Sequence, residues 1–169
     1  MSLEVRIAPA SPGPLPALRW TWDPETDILA GSFPVPHTTG YTGPVELSDD
    51  EGSIIVVDVA GGVVCGVDVA VWPEVVTVPD LALPAEVAAG QALVPTRPSR
   101  ASAGTLEVDT TLSMAVSPDG STYHLRIGSR RLVDVVRIAD HLLVEVDKRN
   151  RLAGFWATRV PPRPDLDLA

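Results

Sequence analysis

Asp23, Glu25 and Asp27 stand at alternate positions, the opening spacing of a calcium-binding loop. Such a loop also needs glycine at its sixth place and a bidentate acid at its twelfth. Here those places hold Ile28 and Pro34. The triplet therefore reads as a solvated turn whose acids discourage edge pairing. Asp49, Asp50 and Glu51 run consecutively before Gly52 and an apolar segment, where acids form turns and add solubility. Histidines stand at 37, 124 and 141 with no H-x-H, H-x-x-H or H-E-x-x-H spacing, and Cys65 is the only cysteine to join them. Zinc ligation is not expected from that set. Cys65 lies between Val64 and Gly66, where a thiol behaves as a small hydrophobe and its thiolate is disfavoured. The sequence has no G-x-S-x-G, no phosphate-binding G-x-x-x-x-G-K-[ST] and no G-x-G-x-x-G. No catalytic residue, metal or cofactor is expected.

Two exposed segments remain as candidates for recognition. Residues 32–43 form a long connection containing Pro34, Pro36, His37, Thr39, Gly40 and Tyr41. Long loops often carry binding, so His37, Thr39 and Tyr41 are candidate ligand or partner contacts. The same loop serves equally as a cap on one end of the fold. Arg126, Arg130, Arg131 and Arg137 form the second candidate, a basic partner face. Up to Thr96 the only basic side chains besides histidine are Arg6 and Arg19, so the charge of the chain is uneven. Attraction between the acidic first half and these arginines is the expected use of that asymmetry, with partner docking as the alternative. Nucleic acid is not an expected partner, because the net charge is −9 and Tyr123 is the one aromatic near the arginines.

The elements that must position these residues read as strands. Prolines number 17 and are spread along the chain, which argues against long helices. Valine, stiff at its branched Cβ, supplies much of the apolar content and favours pleated backbone. Aromatic residues are few, leaving Trp20, Trp22, Trp72 and Trp156 as large fillers of an aliphatic core. Residues 54–66 read as a β-hairpin about Gly61 and Gly62, and residues 142–154 repeat its layout without a gap. Gly62 then falls on Asn150, Gly66 on Gly154 and Pro73 on Pro161. Asn and Gly both accept the left-handed turn conformation, and a strand glycine marks a bulge or close approach. Residues 22–29 pair likewise with 116–123, each a turn opened by Asp-Pro or Ser-Pro.

These signals predict an all-β fold of two homologous β-meander units packed about a pseudo-two-fold axis into one domain. The first repeat spans 1–73, a proline-rich connector 74–110, the second repeat 111–163 and a tail 164–169. A short helix is expected over residues 84–91, with Pro84 at its first position and Gly90 near its end. Lys148 is the sole lysine in a chain rich in Ala, Val and Pro, a composition typical of GC-rich bacterial genomes. No signal peptide is read at the N-terminus, and no apolar run is long enough to span a membrane. A cytoplasmic location is expected.

The pattern Asp23-x-Glu25-x-Asp27-x-Leu29, followed by a hairpin ending Gly66-Val67-Asp68-Val69, resembles a small bacterial β-rich domain family of unknown function. The likeness extends over both repeats, although the second has Ser117, Asp119 and Ser121 in place of the acidic triplet and a more polar strand after Gly154. The resemblance implies a β-meander unit and no catalytic residues. The functional expectation is a non-catalytic interaction module, acting as a homodimer or with another bacterial protein. The alternative is a small-molecule binder or modest enzyme with a cleft between the repeats, lined by Trp20, Trp22, Tyr41, Trp72 or Trp156.

Overall fold

The computed structural model describes residues 2–36, 39–95 and 106–164. Among them are 14 strands and no helix, so the fold is all-β. The first half holds β1 (Arg6–Pro9), β2 (Thr21–Trp22), β3 (Leu29–Ser32), β4 (Gly43–Ser48), β5 (Ile54–Ala60) and β6 (Val63–Val71). Next come β7 (Val75–Thr77), β8 (Ala88–Leu93) and β9 (Leu106–Asp109). The second half holds β10 (Leu112–Val116), β11 (Tyr123–Ile127), β12 (Val133–Ala139), β13 (Leu142–Asp147) and β14 (Leu152–Ala157).

Alternation sets which face of each strand is buried. In β5, Ile55, Val57 and Val59 turn into the core, while Ile54, Val56 and Asp58 stay partly exposed. The β5–β6 connection is two residues long, and Gly61 and Gly62 take φ of 55° and 79°. That pair of positive angles matches the right-handed twist of the flanking strands. In the β13–β14 turn Asn150 takes φ 58°, and the Asp147 carboxylate accepts the amide N–H groups of Arg149 and Arg151 at 2.8 and 2.9 Å. The other matched turns close alike: Asp23 donates to the Ile28 carbonyl and Ser117 to that of Thr122, each at 2.9 Å.

Hydrogen-bond partners give one order in both halves, β2–β3–β6–β5–β4 and β10–β11–β14–β13–β12. In each, three successive strands form a meander and a hairpin adds to its last strand. A single mixed sheet continues through both and curls on itself. Its inner face gathers Leu29, Leu47 and Ile55 of the first half with Leu142, Val144 and Phe155 of the second in one apolar cluster. Full burial of such side chains stabilises by about 1.5–3 kcal/mol each.

The connector corrects one expectation. No helix forms over residues 84–91; β8 occupies Ala88–Leu93 and joins the halves. It pairs antiparallel with β1, parallel with β12, and touches β6 through Val63 and Leu93. A helix of about two turns is marginal on its own, whereas the strand satisfies backbone groups on both sides. Gly90 serves close approach, not a helix end: a Cβ there would lie 2.7 Å from Val136 Cγ1 and 2.9 Å from the Ala8 carbonyl oxygen. The neighbouring strands are shared too, β7 lying parallel to β10 and β9 parallel to β4. Among the described residues no helix is long and apolar enough to cross a membrane.

Candidate functional site

The face of the second half turned away from the apolar cluster carries the densest group of chemically capable side chains, with Leu143, Glu145 and Trp156 buried at its centre. Alternation along β11 turns Leu125 and Ile127 into the core and His124 and Arg126 outward. Cross-strand pairing extends this face in two rows. One runs Val135, Glu145, Gly154, Arg126, and the other Arg137, Leu143, Trp156, His124. Glu145 reaches across Gly154 to the neighbouring row, where its Oε1 lies 2.7 Å from His124 Nε2. Its Oε2 accepts the Trp156 indole N–H at 3.3 Å. The imidazole stacks on the indole with ring centroids 4.0 Å apart and planes 10° from parallel. Only glycine fits beneath that carboxylate, since a Cβ at Gly154 would sit 2.4 Å from both Glu145 Oε1 and the Leu125 carbonyl oxygen.

The Glu145 and His124 side chains are 9% and 14% exposed, so this hydrogen-bonded pair is held largely out of water. Both carboxyl oxygens have a hydrogen-bonding partner, which is what such burial requires. The pair forms one wall of a pocket of about 150 Å³ that Arg126, Ser129, Arg130 and Arg131 also line. Among the described residues no hydrogen bond joins Ser129 to His124. The pair fixes the shape and polarity of the wall, and the arginines supply the positive charge.

These arginines are not equivalent. Arg131 is turned inward: it bonds Asp147 Oδ2 at 2.8 Å and the Ile127, Ser129 and Leu152 carbonyls. It therefore braces the β13–β14 turn and is not part of a free face. Burial tends to raise the pKa of Asp147. The amide N–H of Arg151, the Arg131 guanidinium, the amide of Arg149 and the Arg151 charge outweigh it and hold that carboxyl at about 2. Arg126, Arg130 and Arg137 make no ion pair among the described residues. Attraction between the halves was the expected use of these charges; among the described residues the one ion pair that crosses between the halves is Arg163 to Asp27, away from these arginines. Register and side-chain reach decide this outcome, and neither is visible in composition.

The loop candidates lie elsewhere. His37 falls outside the described residues. Thr39 and Tyr41 belong to a strap over the β5–β6 turn. There the Tyr41 carbonyl accepts the Gly62 N–H at 2.7 Å, and Thr42 Oγ1 accepts the Gly61 N–H at 2.8 Å. The Tyr41 hydroxyl donates to the Pro44 carbonyl at 2.7 Å, and its ring packs on the core. Among the described residues, Thr39 and Tyr41 cap the first half and do not line the basic pocket.

The remaining sequence candidates have local roles. Asp23 Oδ1 accepts the Glu25 N–H at 2.9 Å, and Asp27 pairs with Arg163. Asp49 Oδ1 accepts the Glu51 and Ser53 N–H groups at 3.0 and 2.8 Å, closing the β4–β5 turn. Burial and then the Asp58 charge push the Cys65 thiol up, which keeps it protonated. Of the five aromatics expected to line a cleft between the halves, Trp20 does so. Trp22 and Trp72 instead stack at 5.4 Å beside Tyr123, and Trp156 belongs to His124.

Glu145 and Trp156 were not foreseen as partners of His124. The alternation of β11 was the one available sign that His124 and Arg126 share a face. No protein-family model matches the chain, and no curated protein matches it.

Proposed function

We propose that this chain is a non-catalytic interaction module of the bacterial cytoplasm, built from two diverged copies of a small β-domain related by a pseudo-two-fold axis. Its docking surface is the arginine-bearing margin of the second half's face turned away from the core, around Arg126, Arg130 and Arg137, and its partner is an acidic protein. The observation that carries this reading is the state of Arg126, Arg130 and Arg137. All three are on or beside one sheet face, and none is neutralised by an ion pair among the described residues. In a chain of net charge −9, such a patch has a field opposite to that of the rest of the molecule. Complementary charge raises the rate of encounter and rejects partners of the wrong sign. The Glu145–His124–Trp156 group holds the surface rigid, so little order must be gained on binding.

The test is retention of partners from host lysate on the immobilised protein, at low and moderate salt. One stoichiometric acidic protein should be held at low salt and weakened at moderate salt. The double variant Arg126→Glu, Arg130→Glu should lose it while keeping the wild-type melting temperature. A partner that survives the charge reversal, or a protein that emerges alone, contradicts the proposal.

A further inference from the structure

A second concavity opens where the two halves meet. It is a broad, open depression of about 810 Å³, within the roughly 300–1,000 Å³ usual for small-molecule sites. Arg19, Thr21 and Ser32 line it from the first half, and Asp140, His141 and Arg159 from the second. Leu18 and Trp20 add an apolar base.

Trp20 is fixed by both halves. It is 4% exposed, and its indole N–H donates to the His141 carbonyl at 3.0 Å. Its ring lies on Gly31, where a Cβ would come within 2.7 Å of ring carbon Cε3. From the second half, His141 takes φ 68° in the two-residue β12–β13 turn, and Arg159 takes φ 51° after β14. The Thr158 amide between them donates to the same His141 carbonyl at 3.0 Å.

The charges of the cleft point to a ligand. Of the two arginines before Thr96, Arg6 pairs with Glu4 at 3.2 Å and Arg19 has no ion pair. Arg159 likewise has none among the described residues. Both arginines line this one cavity, from different halves, together with Leu18 and Trp20. Asp140 is the one carboxylate among its lining residues, and it disfavours a ligand charged along its whole length. We infer that the cleft binds a small organic anion, a single oxyanion head on a planar apolar body, with Arg19 and Arg159 on the head and Leu18 and Trp20 against the body. This site is separate from the basic face and does not depend on it.

Titration of phenyl phosphate and of benzoate into the ¹⁵N-labelled full chain distinguishes the two kinds of head. At least one should give saturable shifts of the Trp20 indole N–H and the His141 amide below about 10 mM. Inorganic phosphate should bind more weakly, because it forgoes the apolar base. Arg19→Gln and Arg159→Asn should each weaken binding roughly tenfold. Asparagine is chosen because it accepts the left-handed backbone, so the fold survives the change. The double variant Arg126→Glu, Arg130→Glu should bind as the wild type does. Cleft resonances that stay unmoved with both probes overturn the inference. So does wild-type affinity in both cleft variants, or inorganic phosphate binding as tightly as the aromatic anions.

Discussion

Two aspartates with opposite surroundings show how far single residues set the behaviour of this protein. Asp68 stands on the outer face of β6, where burial first and the Asp58 charge second raise its pKa from 3.8 to about 6. A carboxyl whose folded pKa is raised contributes stability that is complete below its unfolded pKa and lost as pH rises through the folded value. Asp147 is the reverse. Its depressed value of about 2 means a contribution present above about pH 4 and lost as pH falls towards 2. Asp68→Asn should therefore stabilise the fold near pH 7, by under about 1 kcal/mol after solvent screening, and have little effect near pH 4. Asp147→Asn should lose about 1–2 kcal/mol near pH 7 and much less near pH 2. Urea midpoints across that range check both signs. At this scale the sequence was legible where a residue acts on its own neighbours. Asn150 as the partner of Gly62, Asp49 as a turn former and Cys65 as a quiet hydrophobe follow from residue type alone. Arg131 was not legible, because its partner Asp147 lies 16 positions away on another strand.

Gly90 shows what decides matters at the scale of the element. Read along the chain, Pro84 and Gly90 bracket a short helix, since each is at home at its end. The structure instead uses Gly90 where β8 presses between β1 and β12. A local signal of that length carries too little energy to resist pairing with two waiting edges. Gly90→Ala should consequently destabilise by about 1–3 kcal/mol, as overpacking against backbone does. Amide hydrogen exchange should show protection falling in β8, β1 and β12 together, with β5 little changed. An effect confined to β8 would contradict its role as the joining strand. The hairpins were far easier to read. Gly66 and Gly154, matched by sequence, lie opposite Asp58 and Glu145, and a register shift falls next to each of those acids. Turn chemistry and strand glycines are local facts, while the parallel additions of β7, β8 and β9 are not.

At the scale of the whole molecule, the two halves close on one apolar core, and the faces turned away from it differ in charge. The first half presents Asp58 and Asp68, and the second His124, Arg126 and Arg137. Composition already showed the charge to be uneven, but not that the arginines stay free of the acidic half. That difference turns a feature expected to hold the halves together into a surface suited to an acidic partner. The most direct test is a photo-crosslinking residue placed at Ser129, in the wall of the basic pocket, with Val76 on the exposed edge strand β7 as control. Irradiation in host lysate should give a single crosslinked acidic protein from position 129 and none from position 76. A crosslink from position 76 alone, or from neither position, would contradict the assignment of the basic face as the docking surface.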